Sequence, residues 1–331
     1  MEYKMAIGIR EIAAAAGVSI STVSNVLNGK SNVGNNTREL VQRLCKEMNY
    51  IPNAAGKGLK SGRNRTILFN FSDFDRSFYL KIIEGIHDYA GENNYDLMIC
   101  TTKSCEKYMR SSLTNGCIIL DERMKNEILL RAAAVQYPVV VLDRRLPHPC
   151  IKSVVVNNYD PMAELIRETV RRGYRKFAFV GGPSHTDDNR ERFAAFQAVL
   201  QEGDIPFSRE HYFSGDYREK SGYQAARIFL YTRQLPEIFV CANDNMAMGV
   251  IRALKEGGCR VPEDVAVTGF DNCELAETIG LTTVHIPNYE RGYLAARSLI
   301  ENIEGRNNFA PVILNATVSW GKTLHTKAIP V

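Results

Sequence analysis

Residues 9–28, IREIAAAAGVSISTVSNVLN, constrain the fold of this chain more than any other stretch. Their first half places Ile12, Ala13 and Ala16 on one face of a helix. Gly17 follows where the chain must turn sharply, because glycine adopts the left-handed backbone conformation without strain. Two short helices joined by such a turn predict a helix-turn-helix motif; a small helical hairpin inside an ordinary core is the alternative.

The second half of this stretch predicts a helix with one buried and one exposed face. Ser19 is a good N-cap because its hydroxyl oxygen can accept a hydrogen bond from a free backbone N–H of the first turn. Val23, Val26 and Leu27 recur at helical spacing and form the buried side. The opposite side, which faces outward, carries Ile20, Ser21 and Asn25.

A third helix, predicted over residues 37–48, and a short segment after it complete the pattern. The motifs occur in the order AxxAGVSxSTVSxVLNG, TRE and NYxPNAAxxGLxSGR. This run resembles the DNA-binding head and hinge of the lactose-repressor (LacI/GalR) family of bacterial regulators. A helical hairpin alone does not account for so long an ordered run, so the helix-turn-helix interpretation is favoured.

The positive charge of the chain is concentrated at this end. Residues 1–65 contain 10 Lys and Arg against 4 Asp and Glu, whereas residues 66–331 contain 31 against 33. A basic segment of this size suits contact with DNA phosphates, and the mildly acidic remainder has no such preference. The charge distribution therefore agrees with a DNA-binding head.

The exposed face of the second helix is expected to read base edges. Ile20 can touch a thymine methyl group, Ser21 can bond to several base edges or to a phosphate, and Asn25 can form two hydrogen bonds with adenine. The family commonly has Arg at the position of Asn25. The resemblance also implies phosphate contacts, which position the protein without specifying sequence. The residues at those positions are Thr22, Ser24, Asn28, Thr37, Tyr50 and Asn53.

Residues 53–59 resemble the short hinge helix of the family, which becomes ordered on DNA. The resemblance implies that Leu59 of each subunit inserts into the minor groove, where such a wedge kinks the duplex. Gly56 and Gly58 each cost about 1 kcal/mol relative to Ala in a helix. We therefore expect the hinge to form only on DNA and to respond to the state of the rest of the protein.

From residue 66 onward, apolar strands alternate with amphipathic helices in two consecutive units, followed by a short third pass that is expected to complete both. Such alternation predicts parallel sheets. The fold class is therefore α/β, with an N-terminal helix-turn-helix head and hinge and then a bilobed core of two parallel-sheet subdomains, which resembles periplasmic binding proteins. The predicted boundaries are residues 1–52 for the head, 53–65 for the hinge and linker, and 66–331 for the core, with lobe 1 at 66–157 plus 287–317 and lobe 2 at 158–286 plus 318–331.

A cleft lined by strand ends lies between two such lobes, and ligands bind there in open parallel sheets. Polar residues follow several core strands, with Asp143 after VVVL and Asn243 and Asp244 after IFVCA. The resemblance implies hydrogen bonds from such positions to a small polar ligand; a capped helix or a solvated loop is the alternative for each. Carboxylates, Arg and aromatic walls suit a sugar or another hydroxyl-rich ring. The predicted effector-binding residues are Phe78, Asp143, Arg192, Tyr217, Asn243 and Asp271.

Other classes of function lack support in the sequence. It contains no GxSxG, no P-loop and no GxGxxG after the first core strand, so no enzyme site, metal or cofactor is indicated. A transport module would need an export signal and would lack the head. No apolar run reaches the roughly 20 residues that cross a bilayer, so we expect a cytoplasmic protein. The eight cysteines include no CxxC pair, and only Cys105 is expected to be exposed.

The resemblance implies a transcriptional regulator of the repressor type that binds a palindromic operator as a homodimer. Two-fold symmetry doubles both the base contacts and the charge. A ligand that fits only one arrangement of the lobes is expected to change the separation of the two hinges and hence the operator affinity. The connector of residues 100–116 is shorter than is usual in the family, and the sequence does not specify the ligand.

Overall fold

A computed structural model of the chain describes residues 7–50, 65–72, 74, 78–111, 113–306 and 310–327. Contacts divide the chain into two compact units, residues 1–64 and 65–331, and each is described by itself. The predicted hinge, residues 53–59, lies outside the described part of the chain.

The described part of the first unit folds into a small helical head. Its helices are α1 (Ile9–Ala16), α2 (Ile20–Leu27) and α3 (Asn35–Glu47). Gly17 ends α1 with a φ of 64°, and its N–H bonds back to the last turn of that helix. Ile12, Val23, Val26 and Val41 are buried between the three helices. The predicted helix-turn-helix is confirmed, since Gly17 turns the chain between α1 and α2.

The second unit begins with the larger of two parallel sheets. Its strands are β1 (Thr66–Phe71), β2 (Asp96–Thr101), β3 (Gly116–Leu120), β4 (Val139–Val141), β5 (Ile151–Val156) and β11 (Val312–Leu314). They lie in the order β11-β5-β4-β3-β1-β2, and every neighbouring pair is parallel. The helices of this lobe are α4 (Tyr79–Glu92), α5 (Thr102–Met109), α6 (Asn126–Ala134) and α12 (Asn288–Ile303).

The smaller parallel sheet forms the second lobe. Its strands β6 (Phe177–Gly181), β7 (Tyr212–Ser214), β8 (Ile238–Cys241) and β9 (Ala266–Thr268) lie in the order β7-β6-β8-β9. The helices of this lobe are α7 (Tyr159–Arg171), α8 (Asp187–Glu202), α9 (Glu219–Thr232), α10 (Asp244–Glu256) and α11 (Glu274–Ile279). A short antiparallel pair, β10 (Thr283–His285) with β12 (Thr317–Ser319), lies beside this sheet.

The last part of the chain returns to both lobes, as the sequence predicts. Helix α12 packs its apolar face, including Ala295 and Leu299, into the core of the larger sheet, and β11 pairs with β5. Strand β10 is tied to the smaller sheet through the bridge between Thr268 and Thr282. The predicted stretch PVILNATVSW is divided into two strands, β11 and β12, which serve different lobes.

The connector of residues 100–116 differs from the prediction at Cys105. Helix α5 occupies its first half, and the buried face of α5 places Cys105 against Met109 and Cys117 in the core. Cys105 is fully buried, so the prediction that it is exposed is wrong. The polar residues around it are the solvent-facing side of an amphipathic helix, which explains the error.

The predicted fold class is confirmed by the head helices and by the two parallel-sheet lobes. The predicted domain and lobe boundaries stay predictions. Within the described ranges, no helix combines the length and the apolar character needed to cross a membrane.

Candidate nucleic-acid interface and ligand cavity

The first turn of α2 is organised by the hydroxyl group of Ser19. Its Oγ accepts a hydrogen bond from the backbone N–H of Thr22 at 3.1 Å, which confirms Ser19 as the N-cap. The same Oγ lies 2.6 Å from the Oγ of Ser21 and 2.8 Å from the Oγ1 of Thr22. Three hydroxyl groups therefore cluster at the N-terminus of a helix, where free N–H groups and the helix dipole favour a phosphate.

The residues predicted to read bases differ in how far they are exposed. Ile20 is 41% exposed, and Ser21 is also exposed. Asn25, one turn further along, is half-buried rather than fully exposed. The structure thus leaves an apolar and a polar side chain open on one side of α2. Their base contacts stay predictions.

The predicted phosphate-contacting residues surround this helix. Asn28 follows α2 and donates a hydrogen bond from Nδ2 to the Oγ of Ser24 at 3.4 Å. Thr37 lies in the first turn of α3 and is half-buried, as is Tyr50, which packs against the core of the head. Asn53 and Leu59 lie outside the described residues. These phosphate contacts also stay predictions.

A cavity of about 300 Å³ lies between the two lobes of the second unit. The carboxyl ends of strands from both sheets and the first turns of several helices form its walls. All six predicted effector-binding residues line it, together with thirteen others. The complete set is Phe78, Tyr79, Leu120, Glu122, Met124, Lys125, Asn126, Asp143, Arg144, His185, Thr186, Asp187, Asp188, Arg192, Tyr217, Asn243, Asp271, Ile286 and Arg291.

Arg192 is held rigidly in the wall contributed by the second lobe. Its Nε donates to the Oδ1 of Asn158 at 2.9 Å, and one terminal nitrogen donates to the carbonyl of Ala242. Its guanidinium lies 3.7 Å from the centre of the Phe270 ring and 3.9 Å from the Asp271 carboxylate. Because Arg192 is almost fully buried, these contacts make it part of the lobe structure as well as a cavity wall.

Asp143 and Arg144 form the equivalent pair in the wall of the first lobe. One terminal nitrogen of Arg144 lies 3.0 Å and 2.9 Å from the two carboxylate oxygens of Asp143. Arg144 also donates to the carbonyl of Met124 at 2.7 Å and to the Oδ1 of Asn126 at 2.9 Å. Burial raises the pKa of Asp143 to about 7, although the Arg144 guanidinium acts to lower it.

Two cavity residues have backbone conformations that only glycine adopts readily. Tyr217 has a φ of 65° and Asp271 has a φ of 115°. Such strain occurs most often at ligand-binding sites, where the surrounding structure enforces it. The amide of Asn243 contributes to holding Tyr217, since its Nδ2 donates to the Tyr217 carbonyl at 2.9 Å.

The sequence left two roles open for Asn243 and its neighbour Asp244, a contact with the ligand or a structural role such as capping a helix. Asn243 caps α10, because its Oδ1 accepts from the N–H of Met246 at 3.0 Å, and it also lines the cavity. Asp244 is buried behind the cavity wall, where it accepts a hydrogen bond from the N–H of Cys273 at 2.8 Å. Asp244 is therefore a structural residue of the second lobe.

Six charged residues of the cavity, among them Asp188 and Arg291, were not singled out from the sequence. Asp188 lies in the first turn of α8, 4.0 Å from Arg192. Arg291, in the first turn of α12, is 3% exposed and donates to the carbonyl of Leu142 at 2.6 Å. A signal for Arg291 was present, since it stands at helical spacing from Ala295 and Leu299 on the apolar face of a helix.

Comparison with known proteins connects both units to one family. The model of bacterial regulatory proteins of the lacI family matches residues 8–53, and the model of periplasmic binding protein-like domains matches residues 166–324. The transcriptional repressor PurR of Pectobacterium carotovorum subsp. carotovorum is 29% identical over 316 residues, which cover 92% of this chain and 93% of the relative. The chain belongs to the LacI family.

Two solved structures extend the comparison over the whole fold of this LacI-family protein. The Lac repressor dimer bound to operator and the anti-inducer ONPF has a TM-score of 0.77 and 27% identity, covering 96% of this chain and 99% of that chain. The complex of the transcriptional regulator CelR with cellobiose has a TM-score of 0.71 and 26% identity, again covering 96% and 99%. This LacI-family chain is a DNA-binding transcriptional regulator.

Proposed function

We propose that this protein represses transcription by binding a palindromic DNA operator as a homodimer, and that a small hydroxyl-rich ligand in the cavity controls its operator affinity. The observation that carries this proposal is the presence, in one chain, of a Ser19-capped helix-turn-helix and a two-lobed cavity with strained polar residues in its walls. The Lac repressor, which was solved as a dimer on its operator, supports the arrangement.

The chemistry of the cavity supports a sugar or a sugar derivative as the ligand. Carboxylates such as Asp271 accept hydrogen bonds from ring hydroxyl groups, and guanidinium groups such as Arg192 donate to them. Phe78 and Tyr217 add apolar ring surface to the same cavity. CelR was solved with cellobiose, which is consistent with this ligand class.

A ligand that contacts both walls would favour one arrangement of the lobes over the other. It can shift this equilibrium only by the difference in its affinity for the two arrangements. A coupling of about 1–3 kcal/mol would change operator affinity roughly 5- to 150-fold. We further propose that the protein acts in the cytoplasm. We also propose that it has no enzymatic activity, because the described residues that line the cavity form no pair of nucleophile and base.

The DNA-binding part of the proposal is tested by selection of sequences from random duplexes with the full-length protein. We expect recovery of an inverted repeat, because a two-fold symmetric dimer presents two copies of α2. Recovery of single half-sites without symmetry would refute the dimeric mode. Recovery of no consensus at all would refute sequence-specific binding.

The ligand-binding part is tested by a thermal-shift screen of sugars, sugar phosphates, nucleosides and purines. Asp271→Asn is the informative variant, because it keeps the shape of the side chain and removes the charge that faces the cavity. Arg192→Ala is less informative, since it also removes contacts with Asn158 and Ala242. Asp204→Asn, at an exposed position of the same lobe, is the matched control. A hit that binds equally well to Asp271→Asn would place the ligand elsewhere.

A further inference from the structure

Arg291 is a buried charge with few partners. Its side chain lines the cavity, yet only 3% of the residue is exposed. One terminal nitrogen donates to the carbonyl of Leu142 at 2.6 Å, and its Nε has no hydrogen-bond partner among the described residues. An arginine carries five N–H donors, so most of its capacity is unused. Buried charges in proteins are normally paired, which makes this arrangement costly without a ligand.

The acidic residues of the cavity do not supply the missing partner. Asp143 is engaged by Arg144 at 2.9 Å, and Asp188 and Asp271 lie 4.0 Å and 3.9 Å from Arg192. These three carboxylates act on Arg291 through longer-range attraction, but within the described residues none lies within 4 Å of it. Burial also lowers the pKa of Arg291, as expected for a cation held away from water.

The two walls of the cavity differ in charge. Three cationic and two anionic side chains come from the first lobe and the helix packed on it, whereas one cationic and three anionic side chains come from the second lobe. The members of the first set are Lys125, Arg144, Arg291, Glu122 and Asp143, and those of the second are Arg192, Asp187, Asp188 and Asp271. A ligand with an acidic end and a hydroxyl-bearing end would match this division.

The first wall has a second feature that favours an anion. Helix α6 begins at Asn126, and both Asn126 and the preceding Lys125 line the cavity. No side chain caps this helix N-terminus, and its dipole favours negative charge nearby, part of which Glu127 in the first turn already supplies. The lysine and the helix end thus reinforce the preference indicated by Arg291.

We propose that the effector is a sugar derivative carrying an anionic group, a carboxylate or a phosphate, and that Arg291 binds this group. The inference rests on the proposed function only in taking the cavity as the effector site. The planar guanidinium donates parallel N–H bonds to the anion, while the carboxylates of the second lobe accept from the hydroxyl groups of the ligand. Arg291 therefore selects acidic sugars over neutral ones.

The test uses the full-length protein and its Arg291→Met variant in thermal-shift and calorimetric titrations at constant ionic strength. The probes are acetate, D-gluconate and D-glucuronate as carboxylates, inorganic phosphate and D-glucose 6-phosphate as phosphates, and D-glucose as the neutral reference. Arg145→Met, at an exposed position that does not line the cavity, removes the same charge and is the matched control. Arg291→Lys retains the charge without the planar fork. It is the variant to titrate if Arg291→Met fails to fold.

We expect at least one anionic probe to stabilise the wild type and the Arg145→Met protein. Its affinity should fall about 10- to 100-fold in Arg291→Met, and by less in Arg291→Lys. The identity of the probe then separates carboxylates from phosphates. Equal binding to wild type and Arg291→Met, stabilisation by glucose alone, or no response to any anionic probe would each overturn the inference.

The same titrations distinguish this inference from the proposed function when operator affinity is measured in parallel. An acidic sugar that binds through Arg291 and leaves operator affinity unchanged refutes the regulatory proposal and supports the inference. A neutral sugar that changes operator affinity equally in wild type and Arg291→Met supports the regulatory proposal and refutes the inference.

Discussion

Gly292 offers a test of how the helix that carries Arg291 is positioned. An ideal Cβ at Gly292 would lie 2.0 Å from the carbonyl oxygen of Ile82 and 2.8 Å from its carbonyl carbon. Contacts below 3.0 Å are not tolerated, so Gly292→Ala requires α12 to move by about 1 Å away from α4. Both helices are anchored in one core, which resists such a movement.

We expect Gly292→Ala to destabilise the protein by about 1–3 kcal/mol, the usual cost of overpacking a well-packed core. The higher helix propensity of alanine offsets at most about 1 kcal/mol of that cost. At about 2–4 °C per kcal/mol for a unit of this size, the midpoint of thermal unfolding should fall by about 2–12 °C. Arg291 precedes Gly292 directly, so ligand affinity should fall as well.

The assay is thermal unfolding of the full-length protein followed by far-ultraviolet circular dichroism. The matched control is Gly91→Ala in α4, where an added Cβ meets no atom within 4 Å. The control should be neutral or more stable than wild type by up to about 1 kcal/mol. If Gly292→Ala unfolded at the same temperature as Gly91→Ala, the argument from close helix contact would be refuted.

Four further substitutions test the head and the cavity. Asn25→Ala should reduce discrimination by about 1–3 kcal/mol at one symmetric base position, whereas Thr37→Ala should weaken binding to every DNA sequence alike. Selection from random duplexes distinguishes these patterns, and the reverse result would exchange the two roles. Ser19→Ala should destabilise the head by about 1 kcal/mol, measured by hydrogen exchange of the α2 amides, and unchanged exchange would contradict the capping role. The folded pKa of Asp143, about 7, lies above its ordinary value of 3.8, so its contribution to stability is present below pH 4 and is lost as pH rises to 7. Asp143→Asn should therefore gain stability relative to wild type between pH 5 and pH 8 in urea titrations, and a constant difference would contradict the raised pKa.

The helical head could be predicted from the sequence because its signals are local. The N-cap at Ser19 and the turn at Gly17 depend on residues a few positions apart, and the structure reproduces both. How far Asn25 is exposed could not be predicted, since a helical wheel gives the direction of a side chain but not how much of it neighbouring helices cover.

The residues of the cavity could be predicted only in part from the sequence. Asp143 and Asp271 could be placed because each follows a strand of a parallel sheet, and ligands bind outside the carboxyl ends of such strands. Arg291 was not placed, although residues 287–317 were assigned to lobe 1, because a position on the apolar face of a helix does not show that the side chain reaches the cavity. The burial of Cys105 was missed for a related reason, since a short helix in a polar connector hides one of its faces in the core.

The central claim is that occupancy of the cavity controls binding to DNA. Its most direct test is the affinity of the full-length protein for the selected inverted repeat, titrated with and without the ligand found in the screen. We expect a change of roughly 5- to 150-fold in the wild type and a much smaller change in Asp271→Asn at the same ligand concentration. An operator affinity that stayed constant while the ligand saturated the cavity would contradict the account.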